Sequence, residues 1–131
     1  GGRVLVARAA VARDVLPDGL ATKGWAVEVA EAYRTRPVAL DEATRAAVAA
    51  ADAVTFTSSS TVTNLLAAIE VDQVPPAAIT IGPITSATAR DAGIEVAGEA
   101  DPHTTDGLVA AVLAVLGPAD RVPDSPGADP T

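Results

Sequence analysis

The chain has 131 residues, a net charge of −8 and no cysteine. Its length is that of one domain, and an apolar fraction of 49% rules out wholesale disorder. The absent cysteines exclude disulfides, thiolate metal sites and a cysteine nucleophile; the single His103 excludes a multi-histidine metal site; the acidic balance argues against nucleic acid or an anionic membrane as partner.

In chain order, residues 3–8 (Arg3, Val4, Leu5, Val6, Ala7, Arg8) read as a strand. Residues 11–23 carry Val11, Val15, Leu16 and Leu20 at helical spacing, and Pro17 predicts a late start or a break. Gly24 stands where a C-cap glycine would. Residues 25–32 alternate, Val27 and Val29 against Glu28 and Glu31, as a strand with one wet face does. Residues 33–37, with Tyr33, Arg34, Arg36 and Pro37, read as a hinge or crossover. Residues 41–50 are Ala-rich with acids in the first turn, which predicts a helix with Asp41 as N-cap. Residues 53–56 predict a strand, 57–60 a polar turn, and 61–69 a helix with Val62, Leu65, Leu66 and Ile69 on one face. Residues 77–81 read as a buried strand, Gly82 and Pro83 as the turn into a helix over 84–92 closed by Gly93, and 94–97 as a short strand. Thr104 and Thr105 cap a last helix over 106–116, ended by Gly117 and Pro118. The remainder is rich in Pro, Asp and Gly and is predicted to be a disordered tail or linker.

Alternating short buried strands and helices predict an α/β fold with parallel sheets and helices on both faces. The order has one anomaly: after the first strand–helix–strand unit and its Pro-containing crossover, the chain resumes with a helix. A strand, or a whole lobe, is therefore expected to be missing on the N-terminal side. The missing Met and the leading Gly1 and Gly2 fit a cut point in a longer chain. No apolar run is long enough to span a membrane and no secretory signal is present, so the expected location is cytoplasmic.

The polar turns share one place in this fold. Thr57, Ser58 and Ser60 follow the strand 53–56, Gly82 and Thr85 follow the strand 77–81, and His103 precedes the last helix. Ligands of open α/β sheets bind at the carboxyl ends of the strands, where helix N-termini direct free N–H groups. Each turn alone is better read as an ordinary helix cap; three at one edge make a pocket for carboxylates or phosphates an equal reading. No Walker or dinucleotide glycine pattern is present, so nucleotides are not favoured over other anions. Tyr33 is either a half-buried interface residue or a proton donor in a cleft. His103 has no evident partner and reads as a loop residue. A phosphoacceptor receiver domain fails, because no acidic pair follows the first strand and Thr57, not Asp, ends the strand over 53–56.

The chain resembles uroporphyrinogen-III synthase over residues 3–117. The likeness lies in Val6, Ala7 and Arg8 with Arg13, Asp14 and Pro17; in Tyr33, Arg34 and Thr35; in Val54 to Ser58 with Ser60; in Ile81, Gly82, Pro83, Ile84 and Thr85; and in Asp106, Gly107 and Leu108. The resemblance implies the C-terminal half of a longer enzyme with two flavodoxin-like α/β lobes. Residues 1–32 would be part of one lobe, 33–37 an inter-lobe connector, 38–117 most of the second lobe, and 118–131 the tail. It implies cyclisation of the linear tetrapyrrole hydroxymethylbilane to uroporphyrinogen III, with loss of water and inversion of the last ring, in a cleft between lobes and with no metal or organic cofactor. Thr57, Ser58, Ser60, Gly82 and Thr85 would line that cleft, Arg13 would contact a carboxylate, and Tyr33 would assist departure of the hydroxyl. The expected partners are the substrate and the missing N-terminal half; the fragment itself is expected to be inactive, and its open edge offers a surface for strand-swapped self-association. The segment over 101–105 departs from the shorter Pro-Thr turn of many relatives, which leaves its contacts open. A second reading is a non-catalytic, tetrapyrrole-sensing or interaction lobe of a multidomain regulator or methyltransferase fusion.

Overall fold

Val4, Leu5 and Val6 open a β-branched run that forms β1 (Arg3–Ala9), and it pairs in parallel with β2 (Ala26–Tyr33) in a computed structural model that describes residues 1–118. The tail expected over 119–131 lies outside the described residues. The chain divides into two compact units, Gly1–Arg36 and Pro37–Thr131.

In the first unit, the helix α1 (Val15–Ala21) links the two strands. It starts late, as Pro17 requires: proline lacks the N–H that an interior turn needs, so it falls in the first turn. Gly24 takes φ +84°, its N–H reaching Ala21 O at 3.0 Å and that of Trp25 reaching Leu20 O at 3.2 Å. These are the paired C-terminal bonds that a left-handed glycine permits. The β2 strand runs one residue further than its sequence suggests. Tyr33 pairs with Ala9 across a register shift at Arg8, so the unpaired crossover begins at Arg34.

The second unit holds a three-stranded parallel sheet in the order β3-β4-β5: Ala53–Phe56, Ala77–Thr80 and Val96–Glu99. Its helices are α2 (Glu42–Ala50), α3 (Ser59–Leu66), α4 (Pro83–Asp91) and α5 (Thr105–Leu116), with a 3-10 turn over Val71–Gln73. Strand alternation sends successive side chains to opposite faces. Phe56 and Ala78 pack with Val62 of α3 and Ala89 of α4 on one face, and Ile79 packs with Leu108 of α5 on the other. Both faces are therefore covered, which is the condition for a parallel sheet to be stable.

Two further starts differ from expectation by two residues each. The helix α3 begins at Ser59, two residues ahead of the expected Thr61, because the Ser58 hydroxyl accepts the Thr61 N–H and the Thr61 hydroxyl accepts the Ser58 N–H, a reciprocal cap. The last strand begins at Val96, two residues late, because Ile94 closes α4 instead. Gly93 sits at φ +87°, its N–H reaches Arg90 O at 3.0 Å, and the Ile94 N–H reaches Ala89 O at 2.9 Å while its side chain enters the core. That hydrophobic closure belongs to the C-cap motif. A groove of about 540 Å³ lies between α2 and the stretch Asp72, Val74, Pro75 and Pro76, at the amino ends of the strands.

Candidate functional site

The register of the second sheet puts Phe56, Thr80 and Glu99 in one row at its carboxyl edge. Just beyond that row come the three turns that carry the predicted polar residues. Ladder bonds continue into the turns: Ile81 N–H to Phe56 O at 2.9 Å and Ala100 N–H to Thr80 O at 2.8 Å. The edge is thereby fixed to the start of each following helix.

The three helix N-termini differ chemically. That of α3 is capped by Ser58, and that of α5 by Thr104, whose hydroxyl accepts the Gly107 N–H at 3.1 Å. That of α4 begins at Gly82, in extended backbone, with Pro83 at the first helical position and no side chain capping it. The N–H groups of Ile84 and Thr85 have no intrahelical acceptor, since the first bond of the ladder is that from Ser86 N–H to Gly82 O. This end of the dipole is thus the best-suited place at the edge for a carboxylate.

Beneath it lies a buried polar chain. Ser86 Oγ donates to Glu99 Oε2, and Thr80 Oγ1 stands 2.6 Å from Ser86 Oγ. Ser86 has one proton and gives it to the carboxylate, so Thr80 is the donor in the second bond. Thr80 and Ser86 are fully buried. The chain ties the first turns of α4 to the ends of β4 and β5. Thr88 Oγ1 adds a bond to Ser59 Oγ at 2.8 Å, tying α4 to α3.

Thr57, Ser58, Ser60, Gly82 and Thr85 all fall at this one edge. Thr57 and Ser60 are exposed, the Ser58 hydroxyl is engaged in its cap, and Thr85 is 4% exposed in the first turn of α4. Arg13 and Tyr33 belong to the first unit, where they occupy the matching topological place: Arg13 in the loop after β1, Tyr33 at the carboxyl end of β2. Tyr33 is 63% exposed. The Arg13 carbonyl accepts from Arg8, whose guanidinium also pairs with Asp14 at 2.7 Å; the Arg13 guanidinium forms no ion pair among the described residues. His103, read as a loop residue without a partner, has one: its Nδ1 lies 2.9 Å from Ala100 O. No sequence signal points to that contact, because the acceptor is a backbone carbonyl. No group of three or more metal-ligating side chains occurs among the described residues, and none of their helices is long and apolar enough to cross a membrane.

No curated protein sequence matches the chain. The crystal structure of uroporphyrinogen-III synthetase from Helicobacter pylori superposes with a TM-score of 0.71 at 22% identity, covering 86% of this chain and 53% of that one. The chain thus spans about half the length of that structure, and the likeness is one of fold. The family profile described as uroporphyrinogen-III synthase HemD matches residues 1–110. The chain belongs to the uroporphyrinogen-III synthase family.

Proposed function

We propose that these residues form part of a uroporphyrinogen-III synthase, a cytoplasmic hydro-lyase that closes hydroxymethylbilane to uroporphyrinogen III with loss of water and inversion of ring D. The family match over residues 1–110 carries this reading. Because the chain covers 53% of the solved relative, turnover is proposed for the two-lobed protein assembled with a complementary N-terminal part, and not for these residues alone. In that assembly residues 33–37 act as a connector between lobes.

The substrate is a polycarboxylate, and the chain is acidic, so its recognition cannot rest on net charge. The open N-terminus of α4 at Gly82 and Thr85, with Thr57, Ser58 and Ser60 beside it, supplies oriented donors at one edge. Arg13 adds a carboxylate contact, and the Tyr33 hydroxyl protonates the departing hydroxyl group. Holding the linear chain with its ends together supplies most of the acceleration, an entropy-trap mechanism that needs no cofactor.

The test is an assay of the assembled protein with hydroxymethylbilane, resolving the product isomers. Closure with ring inversion gives the type III isomer, and simple closure the symmetric one. Tyr33→Phe is expected to lower formation of the inverted isomer about tenfold or more, and Thr85→Ala to weaken substrate binding. Unchanged turnover in both variants removes the site assignment. Tetrapyrrole binding without any turnover of the assembled protein would instead favour a sensing lobe.

A further inference from the structure

The turn over residues 101–104 is held in place by three features. Ala100 is fully buried, and its N–H is locked to Thr80 O, so its carbonyl direction is fixed by the sheet. Gly107 in the first turn of α5 lets the Pro102 carbonyl lie directly on the helix: a Cβ there would sit 1.9 Å from Pro102 O. The His103 imidazole packs beside Gly82: a Cβ there would lie at an ordinary contact distance, 3.4 Å, from its Cγ and Nδ1 atoms. The ring of His103 is thus seated against the open N-terminus of α4.

The Ala100 carbonyl decides the tautomer. A carbonyl oxygen only accepts, so Nδ1 carries the proton and donates at 2.9 Å. In the neutral ring Nε2 then has a lone pair, and it makes no hydrogen bond to the chain among the described residues, while the residue as a whole is exposed. The backbone groups around it at the start of α4 are donors, suited to carboxylates. A neutral Nε2 repels a carboxylate and requires a donor. On uroporphyrinogen III, which has lost the hydroxyl, the donors left after ionisation are the pyrrole N–H groups.

We infer that His103 is a ligand-contacting residue of this edge, seated by Ala100 O and Gly82 so that Nε2 accepts a hydrogen bond from a pyrrole N–H. The inference rests on the synthase reading and adds a specificity contact to it. Carboxylates are read by the start of α4, and the pyrrole itself by His103.

As the only histidine in the chain, it gives a single imidazole signal set in a long-range ¹H–¹⁵N spectrum. With the ring neutral, the ligand-free protein is expected to show Nδ1 protonated and Nε2 bare. The opposite tautomer, or rapid exchange between the two, overturns the seating. Uroporphyrinogen III, kept reduced under anaerobic conditions, is then titrated into the labelled chain assembled with its complementary part, while the amides of Ile84 and Thr85 are followed. Movement of both those amides and the Nε2 resonance supports the inference. Movement of the amides with Nε2 unchanged overturns it and leaves the synthase reading standing. Stationary amides overturn both. His103→Asn keeps a donor for Ala100 O and removes the distal acceptor, so it should melt with the parent yet bind about three- to tenfold more weakly. Equal binding by a well-folded His103→Asn overturns the inference.

Discussion

The first unit pairs two parallel strands and links them by a helix of seven residues; the second pairs three strands and covers both faces. The interiors differ accordingly. All nine buried apolar residues among those described, from Phe56 to Leu108, lie in the second unit, and the only buried residue of the first is Pro17. Leu5 remains 64% exposed and Val15 75% exposed, although both sit in regular elements. Charge is divided as well: Arg3, Arg8, Arg13, Lys23, Arg34 and Arg36 are six of the nine basic residues in the chain. A two-stranded parallel ribbon with little interior does not sustain itself in water. The first unit therefore has little interior of its own, whereas the second has the core that holds its polar edge rigid.

Hydrogen exchange gives the sharpest measure of this difference. Amides of Ala78, Ile79 and Thr80 should exchange about a hundredfold or more slowly than those of Val4, Leu5 and Val6, because the former open only with the core. Equal protection would break the comparison. Substitution reads the same contrast as energy. Phe56→Ala, at a site 1% exposed, should cost about 3–5 kcal/mol in denaturant unfolding, and Leu5→Ala no more than about 0.5 kcal/mol. A large loss for Leu5→Ala would mean that the first sheet has a partner surface.

Much of this architecture is legible in the sequence, for a physical reason. The β3 strand and the Asp41 cap are found where local chemistry puts them, because β-branched runs and acidic caps act within a few residues. Ile94 misleads as a strand residue, since the same apolar side chain serves to close a C-cap. The edge of hydroxyls is readable from the strand–turn–helix order, but the difference among its three helix starts is not. Whether Ser58 or Thr104 caps its own helix depends on side-chain torsion, and only the missing side chain of Gly82 could have marked α4 as open. The chain Thr80–Ser86–Glu99 and the seat of His103 depend on strand register and on a backbone carbonyl, neither of which composition or spacing specifies.

Ser86→Ala tests whether the rigid half of the comparison owes its edge to that buried chain. The substitution leaves the Thr80 hydroxyl buried without its acceptor and removes a donor from Glu99. A loss of about 1–3 kcal/mol is expected, smaller than that of Phe56→Ala because hydrogen bonds exchange for bonds to water while apolar packing does not. The effect should be local as well: faster amide exchange in Ile84 and Thr85 at the start of α4, with Ala78 and Ile79 still protected. Uniform acceleration across the sheet would show that the chain serves the whole core and not the edge.

The smallest effect is expected at the rim of the second unit, where α2 has no buried residue. The Thr44 side chain first, and then the Thr44 N–H that the Asp41 carboxylate accepts at 2.7 Å, hold the pKa of Asp41 below the ordinary aspartate value. The sign follows from linkage: a carboxyl whose folded pKa is lowered stabilises fully above its unfolded pKa and loses that contribution as pH falls through the folded one. Acidification should therefore loosen the first turn of α2. Because the group is fully exposed, solvent screens the interaction, and the readout is the Thr44 amide shift and not the global unfolding curve. In Asp41→Ala that amide should lose its pH dependence in the acidic range, while the Ile79 amide stays unaffected at every pH. Parallel changes at Thr44 and Ile79 would mean that α2 is continuous with the core and that the well-packed region begins earlier in the chain than β3.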